Sequence, residues 1–322
     1  MLNKNEIVSI ALITYNSSDT VGETLNSILN QVYELSKIEL IISDDASTDD
    51  TTEVIDLWVN KHSACFFRIV RNYHKKNLGV SGNCNSAWKC ASGEWIKTIA
   101  GDDILTPNNI MDNVAYVRNI PCANIAVVFS EMEQFYTSHS GEYITNLILP
   151  PDYQKKILSS NNNLLQRKYM QAGDISGAPS AFIRTTALAA IGFADEKFTL
   201  MEDYPVWCKL LDSGWSFSFM DKLTVRYRIG NSITNNKEKL VNVKHLQQLK
   251  QAHRLYCGGT ISLLRQRKIL WINMVLLLSK LFRNKRTYIS FFLLKVITLI
   301  RPFFITYKIE MLSSRKKKNS LF

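Results

Sequence analysis

The amino-acid sequence predicts an α/β chain: a mostly parallel sheet sandwiched by helices, followed by a basic helical extension. Three observations carry that expectation. Short, nearly continuous apolar runs at 7–13, 38–42, 66–70 and 95–100 alternate with stretches of helical periodicity, as parallel strands buried on both faces require. Three of these runs release polar residues at what would be one sheet edge: Thr14 and Tyr15, Asp44 and Asp45, and Asp102 and Asp103. Charge is also segregated. Residues 1–236 carry 20 Lys and Arg against 26 Asp and Glu, whereas 237–322 carry 19 against 2.

The elements follow in order. Residues 7–13 form a first strand and stop at the polar turn of Thr14, Tyr15, Asn16 and two serines; Asp19 is placed to cap the next helix, with Val21, Leu25, Ile28 and Leu29 on one face. The strand at 38–42 opens into Asp44-Asp45, and a helix from about Asp49 carries Val54, Ile55, Trp58 and Val59. The strand at 66–70 leads to a loop around Asn77-Leu78-Gly79 and a helix over 82–91, which Gly93 would stop. The strand at 95–100 delivers Asp102 and Asp103, after which Thr106 and Pro107 are spaced as cap and first residue of a helix. From about 130 to 200 the pattern loosens. Its features are Pro150-Pro151, a polar run at 159–163, Gly173 to Ser180, a strand at 181–183 and a helix at 185–191.

Adjacent carboxylates past the end of a buried strand repel each other, so they suit a divalent cation, a ribose or both. Alone, such a pair reads more readily as a solvated acidic turn with a helix cap; the neighbouring motifs reverse that. There is no Gly-x-Gly-x-x-Gly after the first strand and no phosphate-binding Gly-Lys-Ser/Thr loop, so a diphosphate would need charge neutralisation from elsewhere. Six scattered cysteines without a Cys-x-x-Cys pair argue against a zinc site or a disulfide framework and for a reducing compartment. The opening apolar run is too short for a signal peptide, which sets the expected location on the cytoplasmic side.

With these residues in place, the sequence resembles the family 2 glycosyltransferases of the type A fold. The matching pieces are Val8-Ser-Ile-Ala-Leu-Ile-Thr-Tyr-Asn16, Ile42-Ser-Asp-Asp-Ala-Ser-Thr-Asp49, Asn77-Leu-Gly79 with Asn85, Ala91-Ser-Gly-Glu-Trp95, Gly101-Asp-Asp103 and Met201-Glu-Asp-Tyr-Pro-Val-Trp207. The resemblance implies a UDP-sugar donor held by Thr14, Tyr15, Asn16, Asp45, Asn77, Asn85 and Asp102. It implies Mg²⁺ or Mn²⁺ on Asp103 and Asp102, and Asp203 as the base that deprotonates the acceptor hydroxyl. An acceptor would meet Ser176, Gly177, Glu202 and Trp207, although Trp207 also falls at helical spacing with Leu210 and Leu211. One base and no second carboxylate nucleophile imply inversion in a single displacement. Many relatives carry a metal-ligating histidine where this chain has Gly230 in Tyr227-Arg-Ile-Gly; Asn231 or water would then complete the coordination.

The expected organisation is a catalytic domain over 1–236, with a nucleotide-sugar half (1–118) and an acceptor half (119–236), and a tail over 237–322. In the tail, apolar runs at 269–282 and 288–307 are edged by Lys and Arg, and Arg315-Lys-Lys-Lys318 lies near the end. The first run is short for a bilayer span and the second is broken by charge, so both fit helices lying in an anionic membrane surface. Packing on the catalytic domain or in an oligomer is the plainer alternative. Basic residues interleaved with aliphatic runs do not fit nucleic acid. The function this implies is hexose or N-acetylhexosamine transfer to a lipid-linked or polysaccharide acceptor in bacterial surface glycan (O-antigen or capsule) synthesis. It would take place at the cytoplasmic face of the inner membrane, with the protein peripheral. The alternatives are a nucleotidyltransferase, which would usually carry a glycine- and Lys/Arg-rich loop after the first strand, and a catalytically inactive membrane-bound sugar-nucleotide binder.

Overall fold

A computed structural model describes residues 7–120, 124–137, 143–229, 239–256 and 263–299. The chain divides into two compact units. Met1–Gln166 with Ile175–Gly230 form the first, and Arg167–Asp174 with Asn231–Phe322 form the second. Part of one helix thus joins the second unit.

In the first unit, β1 (Val8–Thr14), β2 (Ile38–Asp44), β3 (Arg68–Tyr73) and β4 (Trp95–Ala100) lie parallel in the order β3-β2-β1-β4. Every residue of β2 is buried and β1 is nearly so, which is why their sequences are mostly apolar. The third strand differs from expectation: it begins two residues later than 66, and its residues are exposed or half-buried because it is the sheet edge. A buried Glu39 in β2 accepts from Ser9 Oγ (2.5 Å), the Ser92 N–H (2.7 Å) and Arg68 Nε (2.8 Å), the pairing that a buried carboxylate requires.

The helices α1 (Val21–Leu29), α2 (Thr51–His62) and α3 (Gly79–Trp88) connect these strands. Several expected end signals act differently. The residue before α1 is Thr20 rather than Asp19, and α3 begins at Gly79, three residues early. It has already ended when Gly93 is reached. A Cβ at Gly93 would lie 2.7 Å from Ile7 O and Ser9 N, so close approach to β1, not a helix stop, requires glycine there. Past Asp103 a short β5 (Ile104–Leu105) intervenes, and α4 (Asn109–Asn119) follows Asn108 rather than the Thr106-Pro107 pair.

The segment expected to be loose is regular. It forms β6 (Ile125–Thr137), β7 (Tyr143–Leu149), α5 (Asp152–Ser159) and α6 (Asn163–Ala172), then β8 (Phe182–Arg184), α7 (Thr185–Ala190), α8 (Asp203–Asp212) and β9 (Ser216–Arg228). These strands extend the sheet beyond β4 in the order β8-β6-β9-β5, with β7 on β6, and here the pairing is mixed. A continuous core runs beneath, from Ile10, Leu25 and Ile42 to Val128 and Phe182, with Trp95 stacked on Phe182 at 5.3 Å between ring centroids.

In the second unit, α9 (Val243–Tyr256), α10 (Leu263–Leu281) and α11 (Tyr288–Leu299) are helical. Among the described residues no helix is long and apolar enough to cross a membrane. Arg315 to Lys318, and the second apolar run beyond 299, lie outside the described residues.

Candidate active site

Parallel pairing sets the polar tips of β1, β2 and β4 beside one another: Thr14 faces Asp44 and Ile13 faces Ala100 in register. The Asp45 N–H donates to Thr14 O (3.0 Å) and the Gly101 N–H to Ile13 O (2.9 Å), so both acidic loops hang from the end of β1. From below, α1 grips the second loop through Thr20 Oγ1 to Gly101 O (2.8 Å) and Thr24 Oγ1 to Asp103 O (2.7 Å).

Asp103 is buried to 1%. Its Oδ1 accepts the backbone N–H of Arg228 (2.9 Å), and its Oδ2 is buried with no hydrogen-bond partner. Burial, then the neighbouring Asp102, push its pKa well above the usual carboxylate range; burial also raises that of Asp102. Arg228 Nε donates to Asp102 O (2.8 Å), and its guanidinium also meets Glu23 and stacks 4.6 Å from the Phe135 ring centre. A cation fits this arrangement, because it would engage the orphaned oxygen and relieve the repulsion within the pair. Among the described residues no third His, Cys, Asp or Glu joins them, so further ligands would come from the substrate or water. Gly230 and Asn231, where a further ligand was expected, lie outside the described residues.

On the other side, Asp203 opens α8 and its Oδ1 accepts the Tyr204 N–H (2.6 Å). Asp103, Glu202 and Asp203 line one cleft with Ile13, Cys84 and Pro179, with about 610 Å³ of empty volume including its open mouth. Burial pushes Glu202 above the usual carboxylate range. Burial raises the Cys84 thiol too, and the charges of Glu202, Asp203 and Asp45 add to that rise. The separate acids of the sequence therefore converge.

Other expected site residues have different surroundings. Asp45 accepts the N–H groups of Leu78 (2.6 Å) and Gly79 (3.0 Å), and Asn77 donates to Asp45 O (3.3 Å), so together they fold the loop entering α3. Thr14 donates to Asp44 Oδ2 (2.8 Å), and Asn16, at φ 50°, bonds Ser47 Oγ and the Thr48 N–H. Tyr15, next to Thr14 and Asn16, is 43% exposed.

Asn85 spends both amide hydrogens on Ala194 O (3.0 Å) and Glu196 Oε1 (2.9 Å), and its oxygen on the Ala194 N–H (2.9 Å). It clamps α3 to the loop before α8, a different task from the donor contact expected of it. Ser176 and Gly177 are not among the cleft residues; Ala178 and Pro179, one turn on, are. Ser176 instead pairs with Gln154 through its N–H (2.8 Å). Trp207 is 2% exposed and packs edge-on to Phe129 and Phe217, so most of its ring is core. It also reaches the cleft, with its buried Nε1 unpartnered. Sequence reasoning missed Thr24, Lys97 and the Arg228 side chain, whose roles come from packing across distant segments and leave no local spacing to read.

Comparison with known proteins bears on this site. The Glycosyl transferase family 2 model matches residues 9–187. The chain is 28% identical over 257 residues to the Escherichia coli UDP-Glc:alpha-D-GlcNAc-diphosphoundecaprenol beta-1,3-glucosyltransferase WfaP, covering 78% of this chain and 91% of that one. It is 26% identical to the Bacillus subtilis putative teichuronic acid biosynthesis glycosyltransferase TuaG, covering 74% and 86%. Staphylococcus aureus TarS 1-349 in complex with UDP-GlcNAc superposes with a TM-score of 0.60 at 18% identity, over 85% of this chain and 73% of that one. The Pyrobaculum calidifontis mannosyltransferase PcManGT, in complex with GDP-Man and Mn2+, gives 0.58 at 14% identity, over 95% and 86%. The sheet is thus that of the type A glycosyltransferase fold, and the family excludes the nucleotidyltransferase alternative. The convergence of Asp103, Glu202 and Asp203 on one cleft and the match over residues 9–187 lead to one conclusion: the chain belongs to glycosyl transferase family 2.

Proposed function

We propose that this glycosyltransferase is inverting and divalent-cation-dependent, and moves a hexose or N-acetylhexosamine from a UDP-sugar to a lipid-linked or oligosaccharide acceptor in bacterial surface glycan assembly. The observation that carries the reading is a single cleft lined by Asp203 and by Asp103, whose Oδ2 is buried and unpartnered. A bound Mg²⁺ or Mn²⁺ would supply Lewis-acid stabilisation of the departing diphosphate. Asp103 and Asp102 would hold it. Tyr15 offers an exposed ring for the uracil, framed by Thr14, Asn16 and the Asp45–Asn77 loop.

The Tyr204 N–H fixes one oxygen of Asp203. Asp203 takes the proton of the acceptor hydroxyl while that oxygen bonds to the anomeric carbon and the bond to UDP breaks. With no nucleophile interposed, an α-linked donor yields a β-linked product. Burial favours the protonated form of Glu202, which can donate a hydrogen bond to an acceptor oxygen. The similarity to TuaG and WfaP supports a surface-glycan role, and that to WfaP a UDP-sugar donor with a diphospho-lipid acceptor.

The decisive experiment screens UDP-glucose, UDP-galactose and UDP-N-acetylglucosamine with a synthetic GlcNAc-diphospho-lipid and Mn²⁺, using wild type, Asp203→Asn and Asp103→Ala. Turnover by wild type alone is expected. Equal background from all three proteins would leave an inactive sugar-nucleotide binder.

The second unit supports a peripheral location at the cytoplasmic face of the plasma membrane. On α10, Leu263, Leu270 and Leu277 recur every seven residues and are exposed, as are Tyr288, Ile289, Phe292 and Val296 on α11. Residues 263–299 contain no Asp or Glu, and Lys280, Arg283, Lys285, Arg286 and Lys295 are all exposed. An apolar stripe edged by cations suits an anionic lipid surface. Flotation with phosphatidylglycerol vesicles is expected for the wild type and lost in the double variant Ile289→Glu/Phe292→Glu. Equal flotation of the variant would refute lipid docking by this face.

A further inference from the structure

Two tryptophans line the cleft, and they differ in what their N–H groups do. Trp88 donates from Nε1 to Thr98 Oγ1 at 2.8 Å. Trp207, 2% exposed, has a buried Nε1 with no hydrogen-bond partner among the described residues. Its ring sits edge-on to two others, 5.2 Å from the Phe129 centroid and 5.8 Å from that of Phe217, contacts that fix its plane. Among the residues lining the cleft, the other buried side-chain polar atom left in this way is Asp103 Oδ2. An orphaned buried donor costs the fold free energy, and here it belongs to a residue of the cleft wall.

The surroundings restrict what can answer that donor. Val80, Cys84 and Trp88 recur at four-residue spacing along α3 and so share one face of it. Asp203, Val206 and Trp207 share one face of α8 in the same way. Val206 is fully buried and Cys84 nearly so, and a buried thiol packs as a small hydrophobe. Apart from three carboxyl groups and Thr98, whose hydroxyl Trp88 already uses, the side chains lining the cleft are largely apolar.

An indole N–H only donates, so its partner must be an acceptor. A sugar hydroxyl would serve, but it brings an O–H that needs an acceptor of its own in apolar surroundings. An acyl carbonyl accepts without donating, and the methyl group beside it suits the apolar side chains. The acetamido group of an N-acetylhexosamine combines the two, and its N–H can be taken by a carboxyl oxygen of the same cleft.

We propose that Trp207 Nε1, with Val80, Cys84 and Val206 on the facing helices, forms a subsite for the N-acetyl group of a 2-acetamido sugar. The subsite makes transfer selective for an N-acetylhexosamine over the matching hexose, on the donor or on the acceptor. That its occupant is a sugar rests on the function given above.

The test measures kcat/KM with Mn²⁺ for wild type, Trp207→Phe and Val80→Phe as full-length proteins. The donors are UDP-glucose, UDP-galactose and their N-acetylated counterparts, each offered to glucose- and GlcNAc-diphospho-lipids. For the wild type, one side of the reaction should favour the acetamido sugar by about tenfold or more, the size of one hydrogen bond with a filled methyl site. A preference among donors puts the subsite on the donor sugar, and a preference between lipids puts it on the acceptor. Trp207→Phe keeps an aromatic ring without the N–H, and the ratio should fall about fivefold or more. Val80→Phe leaves the indole but fills the methyl space, and the ratio should fall again. Each readout compares two sugars on one protein, so a purely structural role for Trp207 would lower both rates and leave their ratio unchanged.

No preference in the wild type, or a ratio preserved in either variant, would overturn the proposal. Should the variants fail to fold, the wild type decides alone. One of its six indole ¹⁵N–H resonances should move downfield with the acetamido sugar nucleotide or lipid and stay in place with the hexose counterpart. The absence of such a selective movement would overturn the proposal equally. If the wild type transfers sugar in no pairing, the functional reading fails and takes the subsite with it. If it transfers both kinds of sugar alike, the subsite alone is lost.

Discussion

The two halves of the sheet were built by different rules. In β3-β2-β1-β4 all pairings are parallel and sequential crossovers bring each strand back to the same edge, so Thr14, Asp44 and Asp102 emerge side by side. In β8-β6-β9-β5 the pairings are mixed and long-range, with β5 joined to β9 across more than a hundred residues. The first half presents residues by regular repetition, and the second delivers single groups, the Arg228 N–H and Asp203, to the same cleft. Binding by the first half and catalysis by the second should therefore separate under mutation.

The largest expected effect sharpens that division. Asp203→Asn should lower kcat by about 10²–10⁴-fold, with Mn²⁺·UDP affinity within about twofold of wild type because that carboxylate is not among the proposed donor contacts. Asp103→Asn should instead abolish measurable Mn²⁺·UDP binding. Kinetics and calorimetry on the same preparations check both, and a common loss of binding would erase the distinction between halves.

Next is Gly79→Ala, which attacks the repetitive half. Gly79 has φ +79°, and a Cβ there would lie 2.7 Å from both Cβ and O of Thr199. Left-handed strain alone costs about 1–3 kcal/mol, and the collision adds to it. Thermal unfolding should show the drop, at about 2–4 °C per kcal/mol for a protein of this size. The Asp45 contact to the Gly79 N–H is lost with it, so weaker UDP binding should accompany the lower Tm.

Arg228→Met tests the seam between halves. It leaves Asp102 O and Glu23 without the guanidinium but keeps the backbone N–H on Asp103. A cost of about 1–3 kcal/mol is expected, with transfer reduced less than in Asp203→Asn.

The smallest effect is a pH dependence. The folded-state pKa values of Asp102 and Asp103 are raised by burial, and at Asp103 also by Asp102. Their ionised forms therefore destabilise the ligand-free fold at neutral pH. That penalty is relieved as pH falls through the raised values, and the gain is complete once the unfolded chain also protonates, near about pH 3.9. Denaturant titration should show Asp103→Asn more stable than wild type at pH 7.5, with the gap closing on acidification. Mn²⁺·UDP should reverse the order.

What could be read from sequence follows the same line. The strands at 38–42 and 95–100 were legible because burial on both faces leaves a mostly apolar run, broken only by Glu39 in one and by Lys97 and Thr98 in the other, and their acidic tips lie in the next few residues. The exposed edge strand β3 was displaced by two residues because no such run marks it. The stretch from 125 to 172 looked irregular, yet it holds two strands and two helices whose partners lie far away in sequence. Asn85 shows the limit at the site: its position matched a donor-binding pattern, but only the fold reveals that Ala194 and Glu196 have already taken its amide. Lys97 is in plain view within its strand, but nothing local in the sequence shows that its ammonium is spent on Pro179 O and Ala181 O.

The start of α3 touches both sides of the reaction. Through Leu78 and Gly79 it holds Asp45, through the Val80 N–H (2.9 Å) it holds Thr199 O, and through Ser81 Oγ it holds Phe198 O (2.6 Å) and Met201 O (3.1 Å), two residues before Asp203. The peptide segment leading to Asp203, the proposed base, is therefore bolted to the helix whose start holds Asp45, the proposed nucleotide contact, and it cannot swing as an independent flap. Any redesign for a new sugar that shifts this helix will also re-aim the base, so altered donor choice and altered turnover should be inherited as one trait.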